Sequence, residues 1–298
     1  MKKSFLLITA LLTITVMSGS AWGFSLPQFY KLKYLNVEML GPFPGGVAWD
    51  PLGLPTQIFS GLADGVEDNW GVAKLTTVED RSDNSTYWSD GDNNEEVTFI
   101  FGGLDYNTII LLDTNLDGIP DAAKVKMSAA VGGAFLDMYI DDTSGGGYTA
   151  YDVSGGPGLR VGSMYPTVTD GTLLASFMFT PGIDPLNPAI VTDINQDTLS
   201  APPTGDGSGY LDVVPGSGPL AGIVDTNGFT TPFGTPDVFL EFDFRPHPDP
   251  GLPDWGWDLN SDDPAIGNAV PEPTSITLFG LGLLGMSFIV RRKIKSKN

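Results

Sequence analysis

The sequence predicts an all-β protein. Its body is expected to be a single large β-sandwich or jelly-roll-like domain with long loops rich in Gly, Pro and Asp. Three observations support this fold class. Short apolar runs alternate with polar residues at the two-residue period of half-buried strands. Clusters of Gly, Pro, Asp and Asn separate these runs, as strand connections require. No body segment sustains the apolar stripe of an amphipathic helix over three turns, although 122–130 has the composition of one short helix.

The clearest predicted strand is 238–245, where four apolar residues alternate with Glu241, Asp243 and Arg245. Further strands are predicted at 34–40, 70–78, 97–101, 108–112, 134–140 and 173–179. A Gly-rich segment separates 97–101 from 108–112, which favours a hairpin or meander between these two runs. The segment 201–209 is rich in Pro and Gly, and we expect it to be a long loop within one domain, with an interdomain linker as the alternative.

The N-terminal segment, 1–23, is predicted to be a helical signal peptide. Two lysines precede an uncharged apolar run, and Ala21 and Gly23 provide the small side chains that a cleavage site before Phe24 requires. An uncleaved membrane helix is the alternative, but the apolar run is short for one.

The body differs in composition from the segment that follows it. The predicted β-rich extracellular domain covers 24–245. Residues 246–269 are rich in Pro, Asp and Trp and lack strand alternation, so we expect them to form a tether. Its apolar residues Trp255, Trp257 and Leu259 are expected to pack against the domain.

The C-terminal segment, 270–298, has three parts in a fixed order. It begins with Val270-Pro271-Glu272-Pro273 and continues with an uncharged apolar run, 274–290, which is predicted to be a transmembrane helix. Five basic residues follow, of which Arg291 and Arg292 are the first. Clustered basic residues stay on the cytoplasmic side of a membrane, so the body is expected to lie outside it.

This order of Pro-Glu-Pro, apolar span and basic cluster resembles the PEP-CTERM sorting signal, on which exosortases of Gram-negative bacteria act. The resemblance implies a precursor anchored in the inner membrane and an exosortase as processing partner. It also implies cleavage near Pro271–Pro273 and display at the cell surface or release to the exterior. Proteins with this signal often accompany exopolysaccharide production and biofilm formation. A plain tail anchor that stays in the membrane is the alternative.

The composition excludes several classes of function. The chain has no Cys and one His, which rules out a disulfide framework, a cysteine nucleophile and zinc sites that need two histidines. A net charge of −21 disfavours binding to nucleic acid, which relies on contacts from Lys and Arg to phosphate. Seven of the 15 basic residues and none of the 36 acids lie before Phe24 or after Pro273, so the body alone would carry about −28.

One acidic segment, 113–121, has the spacing of a calcium loop. Oxygen-bearing side chains stand at its first, third and fifth positions, and Gly118 at the sixth permits a sharp turn. The predicted ligands are the side chains of Asp113, Asn115, Asp117 and Asp121 and the carbonyl of Ile119. The segment resembles thrombospondin type 3 repeats and related bacterial calcium motifs, which implies calcium as a cofactor. Lys124 replaces the bidentate Glu of an EF-hand, and an Asx-rich turn without an ion is the alternative.

The sequence contains no motif that is specific for catalysis. The single histidine, His247, lies between prolines without a nucleophile elbow, and no phosphate-binding loop is present. We therefore expect the protein not to be an enzyme. Aromatic residues beside acids, Tyr87 and Trp88 in one segment and Trp255 and Trp257 in another, are candidates for stacking on sugar rings. Anchoring in the core or the tether is the alternative role for these rings.

These observations predict an exported acidic protein of the cell surface or extracellular matrix. The predicted protein is non-catalytic, sorted by an exosortase, associated with biofilm or exopolysaccharide and stabilised by calcium. A carbohydrate-binding module of the matrix is the alternative function, followed by an enzyme that acts on glycosides.

Overall fold

A computed structural model describes residues 24–40, 56–143, 147–149, 165–199, 204–246, 259–261 and 264–270. In this part of the chain, strands dominate, and the α-helices are two single turns, α1 (Pro166–Thr169) and α2 (Ala221–Val224). The thirteen strands are β1 (Phe29–Leu40), β2 (Thr56–Ser60), β3 (Asn69–Asp80), β4 (Thr86–Ser89), β5 (Glu95–Leu112), β6 (Ala122–Ala129), β7 (Phe135–Asp142), β8 (Thr172–Thr180), β9 (Ile190–Gln196), β10 (Gly205–Val213), β11 (Val238–Pro246), β12 (Leu259–Ser261) and β13 (Pro264–Asn268). The prediction of a body built from β-strands is confirmed.

The strand pairings close the sheet on itself. A circuit of antiparallel neighbours runs from β1 through β3, β5, β6, β9, β10, β11 and β13 and returns to β1. The thirteen strands thus belong to one hydrogen-bonded sheet, rather than to the two face-packed sheets of the predicted sandwich. Because the circuit is closed, the sheet has an interior that side chains from most strands must fill.

Two long strands change neighbours halfway along their length. In β5, residues 95–102 pair with β7, whereas 104–112 pair with β6. In β10, residues 205–209 pair with β9, whereas 210–213 pair with β8. The pairs β6–β9 and β7–β8 therefore fill two halves of the wall between β5 and β10.

The predicted hairpin between 97–101 and 108–112 is wrong, because β5 continues through the Gly-rich segment between them. Gly103 has a φ of +76°, and a Cβ atom there would lie 2.2 Å from the carbonyl oxygen of Gly133. The pairing of β5 with β3 shifts register next to this residue, and the pairing of β5 with β6 shifts register further along, between Tyr106 and Thr108. The glycine thus lets the strand bend where its neighbours change, instead of reversing the chain.

Residues 205–209 lie in the segment expected to be a loop, but they form the first half of the central strand β10. A Cβ atom at Gly207 would lie 2.3 Å from the ring of Phe242, and one at Gly205 would lie 2.7 Å from the ring of Phe244. The aromatic rings of β11 therefore occupy the space that the glycines leave. Glycine weakens a strand by itself, and here the packing of a neighbouring strand compensates.

The helix considered for 122–130 is wrong, because Ala122–Ala129 form β6 between β5 and β9. Its buried residues alternate with two lysines that form ion pairs. Lys124 lies 3.0 Å from Asp193 of β9, and Lys126 lies 2.5 Å from Asp184. Hydrogen bonding on both edges overrides the helix propensity of this Ala- and Lys-rich segment.

The strands β12 and β13 lie inside the segment predicted to be a tether, 246–269. Leu259 is buried, as expected, and β13 pairs with both β1 and β11. Ala265 and Gly267 face inward, and a Cβ atom at Gly267 would lie 2.2 Å from the hydroxyl oxygen of Tyr30. Small inward residues hide the alternation of this strand from sequence inspection, and the folded body extends at least to Asn268.

The predicted signal peptide, 1–23, and the predicted transmembrane helix, 274–290, lie outside the described residues. Within the described ranges, no helix combines the length and the hydropathy needed to cross a membrane.

We expect the substitution Gly205→Ala to destabilise the protein. The added methyl group would lie 2.0 Å from the carbonyl oxygen of Asn195 in β9, so the backbone of a central strand has to move. Overpacking of this kind lowers the free energy of unfolding by about 1–3 kcal/mol. Gly222→Ala is the matched control, because no atom lies within 4 Å of its added Cβ and Ala favours the helical turn. Urea denaturation measures both, and equal stability of the two variants would contradict the close approach of β9 and β10.

Candidate functional site

The interior of the closed sheet contains a cavity of about 70 Å³. Side chains from nine of the strands line it, and most of them are apolar. The lining includes Phe99 of β5, Met138 of β7, Phe177 and Phe179 of β8, Leu211 of β10 and Leu240 of β11. A volume of this size exceeds the space that a single water molecule needs, which is about 10–15 Å³. The cavity is therefore a candidate for binding a small molecule.

Three hydrogen-bonded polar side chains interrupt this apolar lining. Glu38 of β1 is 5% exposed, and its carboxylate accepts hydrogen bonds from Asn36 Nδ2 at 2.7 Å and from Asn69 Nδ2 at 3.2 Å. A buried carboxylate loses its hydration, and the two amide donors offset part of that cost. All three side chains line the cavity.

Two of the residues that line the cavity each have a buried side-chain oxygen without a hydrogen-bond partner among the described residues, namely Oδ1 of Asn69 and Oγ1 of Thr192. Asn69 is 3% exposed. Its orientation is fixed by Glu38, because a flipped amide would place Oδ1 against the carboxylate. Asn69 also lines an adjoining cavity of about 10 Å³. A buried polar atom without a partner costs free energy, so each of these two atoms requires an explanation.

The sequence pattern did not indicate this cluster. In the predicted strand 34–40, Asn36 and Glu38 alternate with Leu35, Val37 and Met39, which favours an outward position for the polar pair. The structure has the opposite orientation, with Asn36 and Glu38 buried and Leu35 half exposed. Tyr30, Leu32 and Tyr34 share the inner face with this pair. The only available signal was the aromatic and apolar run that precedes Asn36 on that face.

Asp212 of β10 and Asp237, which directly precedes β11, form a pair of neighbouring carboxylates. Asp237 is fully buried and accepts backbone hydrogen bonds from Thr226, Asn227 and Val213. Partial desolvation, a hydrogen bond with Asp237 and the charges of Asp237 and Asp225 raise the pKa of Asp212 to about 6. Burial and the charge of Asp237 also raise the pKa of Tyr30 above its ordinary value.

A second pair of carboxylates joins the loop before β3 to β5. Asp105 is buried and accepts a hydrogen bond from the backbone of Gly65 at 2.7 Å, and Asp68 accepts one from Tyr106 at 2.8 Å. Desolvation is the main cause that raises the pKa of Asp68 to about 6, and the neighbouring Asp105 adds to it. Asp68, Asp105 and Asp237 thus accept hydrogen bonds from the backbone.

The predicted calcium loop, 113–121, connects β5 to β6. Asp113 is buried and accepts hydrogen bonds from the backbone of Asp117 at 3.1 Å and of Gly118 at 2.8 Å. Asn115 accepts one from Asp117, and Asp117 accepts one from Ile119. Hydrogen bonds from Thr114 hold the pKa of Asp121 below its ordinary value. Each side chain therefore serves a turn of the backbone, as in Asx turns.

Within the described residues, which include all of 113–121, no three or more acidic or histidine side chains are placed to hold a metal ion. Calcium binding remains a prediction, and the hydrogen bonds above provide the alternative explanation of the same residues.

The aromatic candidates for sugar stacking lie in different environments. Trp88 is 3% exposed and packs edge-on against Phe24, with their rings 5.4 Å apart, so its faces belong to the core. Tyr87 is half exposed, and its hydroxyl lies 3.3 Å from Ser25 Oγ. Trp255 and Trp257 lie outside the described residues, as does His247. Of the predicted pair in β4, only Tyr87 presents an exposed ring.

The start of the C-terminal segment is fixed to the folded body. The backbone N–H of Ala269 donates to the carbonyl of Gln28 at 2.8 Å, and that of Val270 donates to the carbonyl of Ile223 at 2.7 Å. Ile223 belongs to α2. The other predicted residues of this segment, Pro271 to Pro273 and Arg291 and Arg292, lie outside the described residues.

Residues 269–293 match the family model of the PEP-CTERM protein-sorting motif. The chain therefore carries this sorting signal, and the match implies a membrane-anchored precursor of an exported protein that an exosortase processes. The comparison gives no support to the resemblance between 113–121 and thrombospondin type 3 repeats. No curated protein and no solved structure matches the chain.

We expect the stability of the protein to fall as the pH rises through the range from about 4 to about 6. The pKa of Asp212 is about 6 in the folded protein and about 3.9 in an unfolded chain, so the folded state binds this proton more tightly. The linkage relation then makes folding more favourable at low pH for this group. Asp212→Asn should have a melting temperature above that of the wild type at pH 8, and the difference should shrink at pH 4.5.

The control is Asp197→Asn, which removes one exposed carboxylate elsewhere on the acidic surface. Calorimetry of the wild type and both variants at the two pH values separates the effect of the contact between Asp212 and Asp237 from the effect of removing one negative charge. The raised pKa of Asp212 would be contradicted if Asp212→Asn changed the melting temperature equally at both pH values. It would also be contradicted if the change equalled that of Asp197→Asn.

Proposed function

We propose that the protein is an exported, acidic and non-catalytic component of the cell surface or extracellular matrix, delivered by an exosortase and associated with exopolysaccharide. The observation that carries this proposal is the match of 269–293 to the PEP-CTERM protein-sorting motif. The motif concerns delivery, so the role of the body rests on the additional physical arguments that follow.

The charge of the body supports a location outside the cell. All five lysines in the described residues form ion pairs with acids: Lys31 and Lys33 with Glu79, Lys74 with Asp90 and Glu96, Lys124 with Asp193, and Lys126 with Asp184. The acids outnumber the basic residues by 36 to 15 in the whole chain, which leaves a large excess of negative charge. Such a surface repels itself and needs screening by salt or by bound cations. An exterior rich in ions and hydrated polymers provides that screening.

The position of the motif supports processing at the surface of the folded body. Val270 is the last described residue, and its N–H is hydrogen-bonded to Ile223. Pro271 follows directly in the sequence. Cleavage near Pro271–Pro273 would therefore leave β13 in the sheet and release a body that ends almost at its last strand.

We expect the mature protein in the cell exterior to end near Pro273. Intact-mass measurement of extracellular material should give a chain that lacks the basic residues after Val290, and also lacks 1–23 if the signal peptide is removed. In a strain without the exosortase, the full C-terminal segment should be retained and the protein should stay with the membrane. Substituting Pro271 and Pro273 by Ala should reproduce that result.

The matched control replaces Arg291 and Arg292 by Lys, which preserves the positive charge after the apolar span. This variant should be processed like the wild type. Detection of the uncleaved chain in the membrane regardless of the exosortase would show a plain tail anchor and overturn the proposed route.

Calcium stabilisation of the loop 113–121 is part of the proposal and has its own test. If calcium binds only the folded protein, a free concentration one hundred times the dissociation constant adds about 2.7 kcal/mol of stability. The melting temperature of the wild type should then rise with millimolar calcium and fall with chelator. Asp117→Asn should lose most of the rise, because it removes a charge while keeping an oxygen that accepts the hydrogen bond from Ile119.

Asp83→Asn is the matched control, because Asp83 makes the same kind of turn with Ser85 in an exposed loop. It should respond to calcium as the wild type does. Identical melting curves in calcium and chelator would leave the loop as a set of Asx turns and would not affect the sorting proposal.

A further inference from the structure

The surface of the interior cavity is almost entirely apolar, although Asn36, Glu38, Asn69 and Thr192 belong to its lining. The amides of Asn36 and Asn69 donate to the carboxylate of Glu38, so these three side chains are hydrogen-bonded to one another. Their polar atoms contribute little to the surface that an occupant of the cavity would contact.

Water is a poor occupant of such a space. A water molecule inside a protein needs about two to four polar partners, and the surface of the cavity offers few. Apolar cavities of larger volume stay dry for this reason. Empty space is also unfavourable, because the lining atoms lose the contacts that they would make in a close-packed interior. An apolar occupant restores those contacts and requires no hydrogen bond.

We propose that the cavity binds a small hydrocarbon of about three carbon atoms. An engineered apolar cavity of about 150 Å³ holds benzene, with its six carbons, and the cavity of about 70 Å³ has about half that volume. The hydrocarbon lies among side chains of different strands, such as Phe99 of β5, Phe177 of β8 and Leu211 of β10. A polar molecule of the same size is disfavoured, because it loses its hydration and gains no hydrogen bond in return.

Methionine methyl groups provide reporters inside and outside the cavity. Met138 lines the cavity and is buried, whereas Met178 is 37% exposed and is not part of the lining. The full-length chain in lipid nanodiscs, labelled with methyl-¹³C methionine, is equilibrated with propane at set partial pressures, which fix the free concentration whatever the lipid takes up. Ethanol, of similar size but with a hydroxyl group, is titrated in parallel. We expect propane to shift the Met138 signal saturably, with an affinity about tenfold or more above that of ethanol, and to leave Met178 unchanged.

Two variants test whether propane occupies this cavity. Ala73→Leu should abolish the shift of the Met138 signal, because Ala73 lines the cavity and the larger side chain fills it. Ala129→Leu is the matched control, because Ala129 is exposed at the end of β6 and is not part of the lining. It should bind propane as the wild type does.

The size of the ligand has a separate test. Benzene should leave the Met138 signal of the wild type unchanged, because the cavity is about half the volume that holds benzene. Leu211→Ala enlarges the cavity and should allow benzene to shift that signal. Val238→Ala removes less volume from the same lining and serves if Leu211→Ala does not fold.

Several outcomes would overturn the proposal. A Met138 signal of the wild type that is insensitive to propane would show that the cavity takes up no hydrocarbon. Equal affinities for propane and ethanol would show that the site is not selective for apolar molecules. Persistence of the shift in Ala73→Leu would place the bound propane elsewhere, and a benzene-induced shift in the wild type would contradict the assigned size. None of these results depends on where the protein is sorted.

Discussion

Closure of the sheet through β10 is the constraint on which the rest of the structure depends. This strand is hydrogen-bonded to β11 on one edge and to β9 and β8 on the other, so it joins the two ends of the sheet. The contact with β11 is possible because Gly205 and Gly207 leave room for the rings of Phe244 and Phe242. A side chain on either glycine would separate the strands that have to meet. The rings of Phe242 and Phe244 therefore cover the glycine face where β10 and β11 meet.

Closure has a consequence for the polar residues of the interior. Once β1 is enclosed, Glu38 lies among apolar side chains and depends on two asparagine amides for hydrogen bonds. On the opposite face of β1, Val37 and Met39 pack against a second cluster that includes Trp70 and Tyr165. The polar cluster is thus a product of the architecture, and the cavity beside it is space that the surrounding strands leave unfilled.

Strands in which apolar and polar side chains alternate can be predicted from the sequence. Strands whose inward-facing residues are largely Gly and Ala cannot. The alternation of apolar and charged residues in β11 is visible in the sequence and correct in the structure. Glycines in β10 and Ala265 and Gly267 in β13 resemble loop residues, because their role depends on aromatic partners that are remote in sequence. The cavity cluster could not be predicted for the same reason, since the orientation of Asn36 and Glu38 is decided by covering strands and not by local pattern. Sorting could be predicted, because an exosortase signal is a linear motif that acts without the fold.

The linear motif and the folded body meet at Ala269 and Val270. Both backbone N–H groups donate to carbonyls of the body, that of Ala269 to Gln28 and that of Val270 to Ile223. The hydrogen bond from Ala269 continues the ladder of backbone hydrogen bonds between β13 and β1, and the hydrogen bond from Val270 connects the chain to α2. Because these bonds lie before the proline motif, removal of the C-terminal segment takes away no described hydrogen bond of the sheet.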